Sequence, residues 1–135
     1  MSQALQKTLM KDHGIEISVM PEFVAEQSKP DQGVFVYSYS ILIKNNSDKN
    51  IQLVNRHWRV YSAGVQIADV KGEGVIGQQP LIRPEEEFVY SSWTMVRDAV
   101  GEMKGSYTFY REDGGFIDVE VPAFQLIFVD RQHVH

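Results

Sequence analysis

Gly72-Glu73-Gly74-Val75-Ile76-Gly77-Gln78-Gln79-Pro80 is the stretch on which the fold class turns, because its first six residues spell GxGxxG. That spacing marks a dinucleotide-binding turn only when a strand leads into it and a helix starts from it, so that a pyrophosphate can sit on the helix N-terminus. Here Pro80 stands three residues after the last glycine and Pro84 four beyond that. A helix interrupted at both points by residues without a backbone donor does not propagate. The stretch therefore reads as a connection between strands. Two uses for its glycines stay open. They permit unusual dihedrals and close backbone approach, or they form a nest of N–H groups for a phosphate, with Gly72, Gly74 and Gly77 lining it and Lys71 and Arg83 flanking it. Glu73 inside the loop opposes the second use, and the lysine of a GxxxxGK[ST] loop is absent.

On both sides of this stretch the hydrophobic period is two. Phe35, Tyr37, Tyr39, Ile41 and Ile43 share one face of a strand over 34–44, opposite Ser38, Ser40 and Lys44. Before it, Ile15, Ile17 and Val19 alternate with Glu16 and Ser18 in a strand that continues to Val24, where Pro21 predicts an edge position or a bulge. After it, Asn45-Asn46-Ser47-Asp48 is turn chemistry. This predicts a hairpin with the following strand, which runs from Ile51 through Trp58 to the Gly64 turn. A short strand over 65–70 feeds the glycine stretch. Runs over 87–95, 103–111, 116–121 and 124–128 follow, with a tight turn at Glu112-Asp113-Gly114-Gly115. Seven to eight short strands without a long amphipathic helix predict an all-β sandwich, with a small barrel as the alternative. The domain is expected over 14–130, between a flexible leader over 1–13 and a tail over 131–135.

A chain of 135 residues suits one domain that buries roughly two-thirds of its unfolded surface. With no cysteine there is no disulfide, thiolate metal site or thiol nucleophile, and a reducing compartment is favoured. Lys plus Arg number 13 against 18 Asp plus Glu, a net charge of -5, so no nucleic-acid partner is expected. No segment approaches the roughly 20 apolar residues of a membrane span, and the leader lacks a signal-peptide core. A cytoplasmic location follows as the expectation.

Taken in order, these elements resemble the bacterial ApaG family. The resemblance is carried by Gln52-Leu53 with Arg56-His57-Trp58-Arg59-Val60, then by the glycine stretch through Leu81-Ile82, then by Pro84, Glu86, Phe88, Tyr90 and Ser92. Gly101-Glu102-Met103-Lys104-Gly105-Ser106-Tyr107 and Phe116 through Phe124 complete it. Two positions depart from the family pattern, which usually has glycine where this chain has Glu85 and Trp93. The resemblance implies an immunoglobulin-like, fibronectin type III-like β-sandwich. It also implies an association with cobalt and magnesium efflux and use as a protein-recognition module, without an enzymatic activity.

The remaining candidates are weaker. Arg56-His57-Trp58-Arg59 places His57 and Arg59 on one strand face and Arg56 and Trp58 on the other. Trp58 reads as core, and each arginine either spreads its stem on the sheet or meets an anion or a partner's carboxylate. His133 and His135 form a His-x-His pair at the chain end, too few ligands for a metal site. Neither the Glu85-Glu86-Glu87 nor the Glu112-Asp113 cluster specifies a hydrolytic pair, and GxSxG is absent. No catalytic residue, metal site or cofactor is expected. The candidate partners are a protein and a phosphate-containing small ligand, with the chain a monomer or a homodimer.

Overall fold

The computed structural model describes residues 8–129. Nine strands follow one another as β1 (Thr8–Asp12), β2 (Ile15–Phe23), β3 (Phe35–Asn45), β4 (Ile51–Ser62), β5 (Val65–Glu73), β6 (Leu81–Ile82), β7 (Glu87–Val96), β8 (Val100–Arg111) and β9 (Gly115–Ile127). Short 3₁₀ turns at Ala25–Gln27 and Pro30–Gln32 are the only helical segments among the described residues, and none is long and apolar enough to cross a membrane. The strands form two antiparallel sheets. One has the order β1-β2-β3-β7, the other β5-β4-β8-β9 with β6 paired to β4 beyond the end of β5. The chain is the all-β sandwich that the periodicity predicts.

The alternation explains the packing. Ile15, Ile17 and Val19 of β2 with Ile41 and Ile43 of β3 are fully buried, and they face Leu53, Tyr107, Phe109, Phe124 and Leu126 of the other sheet. Trp58 sits among these, edge-on to Tyr107 at 6.0 Å and to Phe124 at 6.1 Å between ring centroids. Gly105 makes room for it, because a side chain there would collide with the His57 carbonyl and the Trp58 ring.

Three expectations are corrected. First, β3 and β4 do not form a hairpin. β3 pairs with β2 and β7, and β4 with β5, β6 and β8, so the Asn45 turn carries the chain from one sheet to the other. The buried Asn45 amide holds this corner: Nδ2 donates to the carbonyls of Lys49 at 2.7 Å and Ile82 at 2.9 Å, and Oδ1 accepts from Ser47 N at 3.0 Å and Ser47 Oγ at 2.6 Å. Second, residues 8–12, assigned above to a flexible leader, form β1 against β2. The connecting His13-Gly14 pair has φ of 53° and 75°, the left-handed geometry of a two-residue hairpin. Third, the segments on either side of Pro122 are one strand, β9. A register shift against Met103 and Gly105 absorbs the proline as a bulge. Residues 131–135, with His133 and His135, lie outside the described residues.

Candidate functional site

The glycine stretch is an excursion in the outer strand of the five-stranded sheet. β5 pairs with β4 as far as Glu73 against Asn55, the chain leaves for a tight turn, and pairing resumes at Leu81 against Gln52. Val75 and Gln78 exchange both backbone hydrogen bonds at 2.8 Å around Ile76 and Gly77, whose φ values are 42° and 77°. Two successive positive φ values are those of a type I′ turn. At Val54, β4 slips its register against β8, and the Val54 carbonyl accepts from Gly74 N at 2.7 Å and Gln79 Nε2 at 2.9 Å. The turn tucks Val75 into the core at 1% exposure and leaves Ile76 at 54%.

Arg56 clamps the turn. Its Nη1 donates to the carbonyls of Glu73 at 3.0 Å and Gly74 at 2.9 Å. The guanidinium lies against Gly72, where a Cβ would stand 2.9 Å from Cζ and from both Nη atoms. At Gly74, with φ of 62°, a Cβ would run into the Gln78 carbonyl oxygen. Gly74 is thus required by the backbone around it, whereas at Gly72 a side chain would have to displace the Arg56 guanidinium.

The candidate site residues are divided by the fold. Lys71, paired with His57, and Gly72, paired with Arg56, border an open groove of ≈ 590 Å³ on the outward face of the sheet. Asn55, Thr108 and Asp118 border it on one side, and His57, Ser106 and Glu120 on the other. Within it Thr108 Oγ1 donates to Asp118 Oδ1 at 2.5 Å, and at its border His57 Nε2 lies 2.7 Å from Asp69 Oδ1. Arg83 stands beyond β6, where its guanidinium lies 3.8 Å from Glu86, and does not join Lys71 at the groove. Among the described residues no three His, Asp or Glu side chains are placed to hold a metal ion.

A second surface was not singled out from the sequence. On β7, Val89, Trp93 and Met95 point away from the core and are 58%, 68% and 38% exposed. Met20 of β2 joins them on the outward face at 38%. Inside the same sandwich, Tyr90 and Tyr107 share a hydroxyl hydrogen bond, and burial holds both phenols above their ordinary range. Burial alone pushes Tyr37 up to about 12.

A family model of the ApaG domain matches residues 25–111, from the first 3₁₀ turn to the end of β8. The chain belongs to the ApaG domain family. Protein ApaG of Dechloromonas aromatica is 41% identical over 112 residues, 83% of this chain and 88% of that protein. Protein ApaG of Thiobacillus denitrificans is 44% identical over 116 residues, 86% of this chain and 91% of that protein. The solved structure of the putative ApaA protein from Bordetella pertussis superposes with a TM-score of 0.80 at 32% identity, covering 93% of this chain and 98% of that one. An X-ray structure of a structural-genomics target gives 0.81 at 30%, covering 92% and 94%. The glycine turn and its Arg56 clamp fall inside the matched ApaG domain.

Proposed function

We propose that the protein is a non-catalytic interaction module, a cytoplasmic accessory factor in divalent-cation homeostasis or Co²⁺/Mg²⁺ efflux, which meets a protein partner on the outward face of the β1-β2-β3-β7 sheet. The observation that carries this is the exposure of Trp93 beside Val89 and Met95 on one face. Large aromatic side chains in that situation are enriched at interfaces. The test is cobalt tolerance in a bacterium deprived of its own ApaG protein. The native chain restores it, and Trp93→Lys, with unchanged circular dichroism, does not. Equal rescue by the two, or none by the native chain, defeats the proposal.

A second reading, binding of a phosphate-containing ligand at the glycine turn, has one observation in its favour. The N–H groups of Ile76 and Gly77 have no acceptor among the described residues, whereas those of Gly74, Val75 and Gln78 are donated to carbonyls. Calorimetric titration of the native chain and Gly74→Val with pyrophosphate decides it, and absence of heat with the native chain ends it.

A further inference from the structure

Among the described residues the two sheets end in β1, β7, β5 (with β6 continuing its edge) and β9, and three of these edges carry features that discourage another strand from adding. β1 carries Lys11 and Asp12 at its end. β5 carries Asp69, Lys71 and Glu73, and its pairing with β4 slips at Val60 and Tyr61. β9 carries Asp118, Glu120 and Pro122 with a bulge.

β7 has neither a proline nor a slip in register, and its single charge, Glu87, stands at its first residue. Its ten residues, Glu-Phe-Val-Tyr-Ser-Ser-Trp-Thr-Met-Val, contain no lysine, proline or glycine, and their register with β3 is unbroken from Glu87 to Val96. Among the described residues its other side pairs with nothing.

We infer that β7 pairs antiparallel with β7 of a second copy of this chain, joining the two four-stranded sheets into one. The pattern of the strand is self-complementary in this arrangement. Odd-numbered residues of β7 point outward, so a pairing that keeps both outward faces on one side sets odd residues against odd. Centred on Ser91, it sets Val89 against Trp93 of the second copy, and by symmetry the same pair recurs on the other side of the axis. Aromatic and β-branched residues opposite one another stabilise antiparallel pairs, and the small Ser91 side chain stands at the axis where two copies meet. Glu87, the one charge on the strand, falls opposite Met95 and never opposite itself. This isologous contact closes at two copies. It goes beyond the function proposed above, because it occupies the edge of β7 and leaves the outward faces of the two copies side by side for a partner.

The absence of cysteine from the chain makes a single introduced thiol an unambiguous reporter. Across the proposed axis the two residue-91 Cβ atoms fall about 4.5–5.5 Å apart, close enough for a disulfide after slight adjustment. Sedimentation equilibrium of the native chain is expected to give twice the 15.4 kDa of one chain. Ser91→Lys, which sets two ammonium groups at the axis, is expected to give the mass of one. Under mild oxidation Ser91→Cys links into covalent dimers, while Val65→Cys, exposed on β5, stays free. A native mass of one chain overturns the pairing, and so does linkage of Ser91→Cys no faster than that of Val65→Cys, whatever the mass. The linkage experiment decides alone if Ser91→Lys does not fold.

Discussion

The Arg56 guanidinium occupies the space where a side chain on Gly72 would begin, 2.9 Å from its Cβ position. Gly72→Ala must push the arginine off the carbonyls of Glu73 and Gly74. Overpacking of this kind costs about 1–3 kcal/mol. In an Arg56→Ala background the three atoms nearest to that Cβ are gone, so the two changes are expected to be strongly non-additive in urea unfolding. Additive effects would show that the clamp has no energetic content.

Glu85 takes φ of 70° in the turn Arg83-Pro84-Glu85-Glu86, closed by Glu86 N donating to Arg83 O at 3.0 Å. Proline second and a left-handed residue third define a type II turn, whose third position favours glycine. Glu85→Gly is expected to stabilise the fold by about 1 kcal/mol, the left-handed strain it removes being partly offset by the freedom glycine gains in the unfolded chain. A thermal midpoint raised by roughly 2–6 °C is the measurement.

The Tyr37 hydroxyl is buried with no hydrogen-bond partner among the described residues, whereas that of Tyr90 bonds to Tyr107. Tyr37→Phe is expected to change stability by less than about 1 kcal/mol, and Tyr90→Phe to lower it by about 1–3 kcal/mol by stranding the Tyr107 hydroxyl. Both residues also shape the alkaline limb. Burial raises the Tyr37 phenol from 10.0 to about 12, so the unfolded chain releases this proton first. The stabilisation is full below pH 10 and is lost as pH rises through about 12. Tyr37→Phe should make the decline of unfolding free energy above pH 10 shallower.

Asn45→Ala removes both donors from the corner between the sheets and leaves the Lys49 and Ile82 carbonyls without them. The expected loss is about 2–4 kcal/mol. Asn45→Asp keeps the acceptor for Ser47 but not the donors, and is expected to cost nearly as much. A neutral aspartate variant would contradict the role of the amide nitrogen.

Much of the fold is legible in single residues. The alternation over Phe35 to Ile43 names the buried face of β3, and Glu112-Asp113-Gly114-Gly115 marks the β8–β9 hairpin, closed by Gly114 N donating to Arg111 O. The prolines after Gly77 rule out the helix of a dinucleotide fold. Turn residues at Asn45 show that the chain bends but not which sheet receives it, since that depends on partners remote in sequence. His13-Gly14 carries the same left-handed pair as Ala63-Gly64, and read with the following alternation it signals β1. The bulk on both faces of β7 hides that Trp93 points outward. The register slip at Val54 shows in the residues only as a change of phase, from odd-numbered Ile51 and Leu53 to even-numbered Trp58 and Val60 on the buried face, and the Arg56 clamp beside it leaves no further mark.

Val75 is buried at 1% one residue before an Ile76 that is half in water, so the glycine turn is a stopper seated in the side of the sandwich. Lifting it would uncover apolar surface worth about 1.5–3 kcal/mol for one valine and would also release the Arg56 contacts. Local opening here is therefore never a small loop motion. The amides of Gly74, Val75 and Gln78 can exchange with solvent only through a partial unfolding that lets water reach the core.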